Sequence, residues 1–570
     1  MIYLKDASWE RIFLSLTIEL DDLTAEIDPL RFYLVDPDGR VEAEFTPAGR
    51  DGDTVRLTLN VTNNGLNRCV RSGTYRVLAG DGGEEFSAVQ FEGLFETLSD
   101  YGKSFVYDGG KGVYSVSFMI DEFSDLPELR LVFLDARAYP AEKGNPYASA
   151  GLSVRLKRFV KKTANAANVL SQKMIYACVR AFRFLRKPHI LFLCEKRDVL
   201  APNMAVLYDR MNERGMTKDY TIKYSVRNTE SRHFSKLSTA GVIAKIAKAD
   251  IIIVDDYVPA FNSLALAKDV RVIQLWHAGA GFKGVGYARW GHFGCPPPYS
   301  AHRRNDFAIT DSLAIRDFFS EPFGILEEQV IPTGMPRMDP YLDEDNRRKV
   351  TQKLYQEFPA FKGKRIILFA PTYRGRNRKT AYYPYELIDF ERLYRYCEDA
   401  DAAVLFKMHP WVPGEVGIEE RYRDRFFSMN SYPDINELFY ITDLLITDYS
   451  SCIYEFMLMK KPMLFFAFDK DRYAVSRGFH RDYDSNVPGK IVVTFDELMD
   501  AMRKEDYEFE KVGQMLPEYF DHVDTQNSDR VIDWLVLGEL PGEYASALRE
   551  RRDSIARARA LTFPPVLSES

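Results

Sequence analysis

No run of about 18 apolar residues occurs in this chain of 570 residues, so a membrane-crossing helix is not expected. The opening residues, MIYLKDASWERIF, carry charge early and lack an apolar core, so a secretory signal is not expected and the cytoplasm is the expected compartment. The six cysteines, Cys69, Cys178, Cys194, Cys295, Cys397 and Cys452, include no CxxC pair, which favours reduced thiols over disulfides or a zinc site. Acidic residues are missing from 151–188, where ten Lys or Arg fall. With those ten positive charges set aside, the net charge of −7 becomes −17 for the remainder. An acidic molecule with one basic segment is a poor general nucleic-acid binder and a good candidate for a localised anionic partner.

What is present reads as several domains, because single cores stop growing near about 250–300 residues. Residues 1–147 hold short alternating runs (FYLVD, VRLTLNV, TYRVLAG, YSVSFMI, LRLVFLD) broken by DPDG, NNG, GDGG and DGGKG turns. They are expected to form an all-β accessory domain, an Ig-like sandwich. Residues 148–188 are expected to form a basic linker helix. On a helical wheel Leu152, Leu156, Phe159, Val160, Leu170, Met174, Cys178, Phe182 and Leu185 share one face and the basic residues the other, with Val154, Val169, Tyr176 and Val179 breaking the pattern. That face suits an anionic membrane surface through residues 151–187, or packing on the protein's own domains.

From His189 strands and helices alternate. HILFLC, TIKYSV, DIIIVDD, VRVIQLW, DFAIT and QVIPTG form one series, and RIILFA, AVLFK, DLLITD, PMLFFAF and KIVVTF a second. Two βαβ series imply two doubly wound, Rossmann-like domains, 189–362 and 363–540. A helix near 529–537 is expected to return to the first of them, and 541–570 to be a charged helix with a loose tail.

Ligands of such sheets bind beyond the carboxyl ends of strands. The first exit, WHAGAGFKGVG, is neither GxGxxG nor GxxxxGK[ST]. His277 there can take a proton from a hydroxyl. Gly279, Gly281, Gly284 and Gly286 would let backbone approach a bulky substrate, and Lys283 could meet an anion. In TGMPRMD, Arg337 could fork onto phosphate with Asp339 orienting it. In FAPTYRG, Thr372 and Arg374 are placed for ligand oxygens. In LFKMHP, His409 and Lys407 could stabilise a leaving phosphate. In ITDYSSCIYEF, Asp448, Ser450 and Ser451 cap a helix whose N-terminus would bind an anion, leaving Glu455 free for a ribose or polyol hydroxyl. Each loop also has an ordinary structural reading: a satisfied turn histidine, an Arg–Asp pair, a surface arginine, a plain N-cap. No metal-ligand cluster is evident in the sequence; Asp255 and Asp256 end a strand and could bind a metal, but a capping or solvated role suits them better.

The ordered series WHAGAGFKGVG, TGMPRMD, APTYRG, KMHP, TDYSS and KPMLFFAFDKDRY…SRGF resembles the CDP-glycerol glycerophosphotransferase family of teichoic acid polymerases and primases, over about residues 190–540. The resemblance implies a GT-B-like pair of Rossmann-type domains, with the acceptor on the 189–362 side and the CDP donor on the 363–540 side. It implies transfer of a polyol phosphate, glycerol phosphate first and ribitol phosphate as the alternative, from CDP-glycerol or CDP-ribitol to a hydroxyl of a lipid-linked polyol-phosphate acceptor at the inner face of the bacterial membrane, with release of CMP. No cofactor and no metal are implied. Carried over, His277 is the base, His409 lies near the donor pyrophosphate, Ser450 and Ser451 are phosphate ligands, and Arg374 is the arginine of the APT motif. Many members read WHGTP where this chain reads WHAGAG, so the loop beside the base differs. A GT-B glycosyltransferase using a nucleotide sugar, and a non-catalytic tether for cell-wall precursor, are the competing readings.

Overall fold

A computed structural model describes the chain apart from residues 21–30, 83–84, 94, 122–126, 138–151, 183–185, 230–233, 280–283, 293, 376–377, 478 and 566–570. Among the described residues of 1–137 the regular elements are strands, apart from short helical turns at Phe95–Asp100 and Asp108–Gly110. Period-2 patterning explains them: in Phe13–Leu20, Leu14, Leu16, Ile18 and Leu20 are buried and the residues between them half-buried. The strands form one hydrogen-bonded network, in which Ile2–Glu10 pairs antiparallel with Phe13–Leu20 and parallel with Phe86–Gln90.

The two later series build two separate parallel sheets. The first runs Thr221–Asn228, His189–Cys194, Ile251–Val254, Arg271–Gln274, Phe307–Ile309, Val330–Ile331, with Lys196–Arg197 added antiparallel at its edge. The second runs Phe426–Ser428, Ala402–Phe406, Arg365–Phe369, Leu444–Thr447, Met463–Phe466, Lys490–Val492. Lys196–Arg197 and Phe426–Ser428 were not expected, because two or three residues are too few to show a period. In the second sheet the winding reverses between Arg365–Phe369 and Leu444–Thr447, the switch point at which such sheets open a crevice. The FAPTYRG and TDYSS loops leave the sheet there. One cluster of buried apolar residues, from Ile190 through Phe456 to Val536, continues across both lobes.

The returning segment packs on the first lobe. Arg210 and Arg214 pair with Asp529, Arg214 also with Asp533, and Arg271 donates to the Leu535 carbonyl.

Two expectations need correction. The helix Leu152–Arg180 lies on the first lobe through Tyr176, with Ile175 and Val179 partly buried, so two of the residues that broke the wheel pattern make the contact. Leu170, Met174 and Phe182, from the expected apolar face, are 60%, 59% and 67% exposed. Arg180 is buried and donates to the carbonyls of Ala247 and Ala249, satisfying the end of the helix Lys236–Lys248. The remaining apolar residues named for that face, Leu152, Leu156, Phe159, Val160 and Leu185, have side chains outside the described residues. The tail is not loose over its described part. After the helix Gly542–Ala560, the Phe563 N–H donates to the Gly39 carbonyl and its ring is buried against Tyr33, Val41 and Leu78 of the β-domain.

Candidate active site

The strand Arg271–Gln274 delivers Trp276 in the left-handed region, φ 54°, a conformation that costs an aromatic residue on the order of 1–2 kcal/mol. Hydrogen bonds hold it there: the Trp276 N–H donates to Gln274 Oε1 at 3.0 Å, and Asn203 Nδ2 donates to the Trp276 carbonyl at 2.9 Å. The turn brings His277 Nδ1 3.0 Å from the carbonyl oxygen of Asp255. A carbonyl only accepts, so Nδ1 carries the proton and Nε2 of the neutral ring keeps its lone pair. The Asp255 carboxyl beside it is buried, and burial pushes its pKa up. Gly279 lies against Tyr454 of the second lobe, with a Cβ at this position 3.4 Å from that side chain. Gly286, at φ +51°, could not carry a Cβ, which would meet the Pro322 carbonyl at 2.1 Å. Gly281 and Lys283 lie outside the described residues.

His409 has the opposite arrangement. The Trp411 backbone N–H donates to His409 Nδ1 at 3.1 Å, so the neutral ring carries its proton on Nε2 and is a donor. Tyr373, from the adjoining strand exit, contacts both rings, with centroids 4.7 Å from His409 and 4.9 Å from Trp411.

The charged residues at the second lobe's strand exits are engaged within the protein. Arg374 is buried and donates from Nε and Nη2 to Asp469 at 2.7 and 2.8 Å, and from Nη1 to Asp448 at 3.0 Å. Asp448 also accepts from the N–H groups of Thr372 and Tyr449. Lys407 Nζ donates to the carbonyls of Asn430 and Tyr432, and burial lowers its pKa. Arg374 and Lys407 were expected to face phosphate and Asp448 to cap the following helix; here they tie the strand exits together, because buried charges must be matched inside the protein. Thr372 is buried with them, its hydroxyl accepting from Arg374.

Arg337 and Asp339 part company. They sit two apart at the start of the helix Met338–Leu342 and so point to different sides. Arg337 donates to the His277 carbonyl at 2.6 Å and pairs with Glu455. Asp339 instead accepts from the backbone N–H groups of Asn527 and Ser528, both at 2.8 Å. Glu455 is therefore not free: it is buried and bound to Arg337, although its Oε2 has no hydrogen-bond partner. The helix after TDYSS, Cys452–Met457, is only six residues long, so its dipole is small. Ser451 makes no side-chain cap bond there, and Ser450 Oγ accepts weakly from the Cys452 N–H at 3.4 Å. These two hydroxyls are half-buried at the switch point.

A second cluster escaped sequence reasoning, since His480 lies 159 residues from Glu321, its partner. His480 Nε2 lies 2.8 Å from Glu321 Oε2, with Asp317 close by, a spacing that could hold a metal ion. Both carboxylates already have cationic partners, Glu321 in Arg11 and Asp317 in Arg481. Burial alone would raise the Glu321 pKa; the His480 hydrogen bond and the Arg11 charge outweigh it and lower it. The cluster is thus a junction of the β-domain and both lobes. Asp469 was within reach of sequence reading, as it follows a strand in the quoted KPMLFFAFDKDRY; Asn203 and the Asp255 carbonyl carried no signal.

The fold is of GT-B-like type: two Rossmann-type lobes whose strand-exit loops touch at Gly279 and Tyr454 and at Arg337 and Glu455. The family model for CDP-Glycerol:Poly(glycerophosphate) glycerophosphotransferase matches residues 175–537, and the chain belongs to that family. It is 35% identical over 489 residues to the teichoic acid ribitol-phosphate polymerase TarL of Staphylococcus aureus, covering 82% of this chain and 83% of that one. To the teichoic acid poly(glycerol phosphate) polymerase of Staphylococcus epidermidis it is 31% identical, over 38% of this chain and 30% of that one. Among solved structures it is similar to a variant of the wall teichoic acid polymerase TagF, with TM-score 0.52 and 20% identity over 70% of this chain and 99% of that one.

Proposed function

We propose that the protein transfers a polyol phosphate from a CDP-activated donor to the terminal hydroxyl of a teichoic acid-type polymer. The acceptor oxygen attacks the β-phosphorus of the donor, His277 Nε2 takes the hydroxyl proton, and the bond from that phosphorus to the bridging oxygen breaks to release CMP. His409 Nε2–H and the Ser450 and Ser451 hydroxyls hydrogen-bond the diphosphate and its developing charge. The observation that carries this is the pair of opposite tautomers, an acceptor on one lobe and a donor on the other. Contacts at the strand exits run from each histidine to one segment, ITDYSSCIYEF: the His277 carbonyl to Arg337 and Arg337 to Glu455, and Asp448 to the Thr372 N–H next to Tyr373, whose ring meets His409. No metal and no other cofactor is required in this scheme.

Ribitol is the polyol we favour over glycerol. The relatives matched at 35% and 36% identity over 82% of this chain are named for ribitol phosphate, whereas the glycerol-named relatives are matched over 35% to 50% of it. On this reading residues 189–362 form the acceptor-side lobe and 363–540 the donor lobe, with 1–147 an accessory Ig-like sandwich. The acceptor is lipid-linked and the enzyme works at the inner membrane face. Among the described residues no helix is long and apolar enough to cross a membrane. The exposed Leu170, Met174 and Phe182, in a segment rich in Lys and Arg, suit shallow attachment to anionic lipid.

The test is to incubate the protein with a polyol-phosphate acceptor and, in turn, CDP-ribitol, CDP-glycerol and UDP-sugars. CMP release with CDP-ribitol is expected. Release of UDP instead would move the protein to sugar transfer, and no release with any donor would favour a tether.

A further inference from the structure

We infer that the β-domain is part of the acceptor site: a groove between it and the loop after His277 holds phosphodiester units of the growing polymer behind the reacting hydroxyl. This rests on the polyol-phosphate reading above and extends it to a part of the chain outside the residues that the family model matches.

The β-domain is not an independent appendage. The loop leaving the His277 turn inserts into its core, where Trp290 stacks on Phe105 at 5.1 Å and 19° and lies 4.7 Å from Tyr114. Tyr287, Trp290 and Cys295 belong to the same buried cluster as the β-domain strands. The hairpin turn at Arg11, left-handed at φ 51°, reaches the first lobe at Glu321, which also binds His480 of the second. The three parts meet around a cavity of about 260 Å³. Its wall includes Arg11, Lys103, Arg289 and His292, together with Phe105 and Phe479, and among the described residues lining it none is acidic.

The charge pattern selects the occupant. Arg11 is matched by Glu321, but among the described residues no carboxylate pairs with Lys103. Lys103 is held in place by its bond to the Arg11 carbonyl at 3.0 Å and lies 5.3 Å over the Trp9 ring. Its burial lowers its pKa, a cost that an arriving anion would offset. A chain with one negative charge per polyol unit fits a groove with cations on both walls, Lys103 from the β-domain and Arg289 from the lobe. Two lining residues tie the groove to the candidate site. Gly284 lies seven residues from His277, and Phe479 packs on Tyr449, ring centroids 5.7 Å apart, next to Ser450.

The experiment measures binding of a fluorescent ribitol-phosphate oligomer to the full chain without any donor, so the result does not depend on turnover. Lys103→Glu with Arg289→Glu should weaken binding about tenfold or more, and raise the KM for acceptor by a similar factor where turnover is seen. Lys103→Arg should bind as the unaltered protein does, and an unshifted melting temperature certifies the fold of each variant. Equal binding by the charge-reversed double variant overturns the inference, as does failure of the unaltered protein to bind the oligomer. A double variant that keeps the oligomer but loses phosphatidylglycerol vesicles also overturns it, and reassigns the groove to lipid headgroups. Oligomer binding with no CMP release from any CDP-polyol would leave the groove standing and remove the donor assignment.

Discussion

The two lobes present their strand-exit loops in opposite ways. On the second lobe, Arg374, Asp448, Asp469 and Lys407 consume one another and nearby carbonyls, while His409, its Nδ1 taken by the Trp411 N–H, offers an Nε2–H and Ser450 and Ser451 stay half-buried. On the first lobe a single imidazole stands on a strained turn, its Nδ1 fixed by a backbone carbonyl and its Nε2 left with a lone pair. The difference teaches that charge near a strand exit does not identify a ligand contact. Buried charge builds the frame, and the groups left for substrate are mostly neutral donors and acceptors that cost little to desolvate.

Removing the lone-pair imidazole should break the comparison most sharply. His277→Ala is expected to lower turnover by about 10²–10⁴-fold while CDP-polyol still binds, measured by CMP release and calorimetry. Full activity in that variant would remove the base. Arg374→Ala leaves Asp448 and Asp469 facing each other unpaired, so a loss of about 3–5 kcal/mol of stability is expected in denaturant unfolding. An Arg374→Ala protein that unfolds normally but has lost donor affinity would return this arginine to the phosphate. His409→Ala is expected to cost about 10²–10³-fold, with the loss appearing in the donor term as well as turnover, because it removes a hydrogen-bond donor and not a base. If both histidine variants lose turnover alone, with donor KM unchanged, the division of roles is wrong.

How much of this was legible in the sequence depended on the length of each signal. Buried strands such as HILFLC and RIILFA announce themselves by continuous apolar residues, and their order fixes a doubly wound sheet. His277 and His409 were legible for the same reason, since each follows such a strand directly. The partners of the charged residues were not, because pairing depends on three-dimensional neighbours: Arg337 finds Glu455 118 residues away, and Asp339 finds a helix start at Asn527. The face of the helix Leu152–Arg180 misread because a wheel counts apolar residues, whereas Tyr176 packs by its ring and gives its hydroxyl a partner in the Ala267 N–H. The insertion of Trp290 into the β-domain core had no local signal at all.

The smallest expected effect separates the lobes by their response to acid. The second lobe meets the first through polar pairs, with His480 on Glu321 and Arg481 on Asp317. The first lobe supports its own loop with a neutral imidazole: His302 stacks on Tyr257 at 4.5 Å and shares a 2.7 Å hydrogen bond with Ser300 Oγ. Burial lowers its pKa to about 4, opposed by Asp256 and assisted by Lys196 and Arg303. Between that value and the ordinary 6.5 the unfolded chain binds a proton that the folded chain refuses. The stability this residue contributes is therefore complete above about pH 6.5 and drains as pH falls toward 4, amounting to about 1 kcal/mol between pH 7 and pH 5.5. His302→Phe keeps the ring contact and cannot titrate, so it should flatten that part of the pH–stability curve measured by denaturant unfolding. An unchanged slope in His302→Phe would show that the acid response does not come from this imidazole.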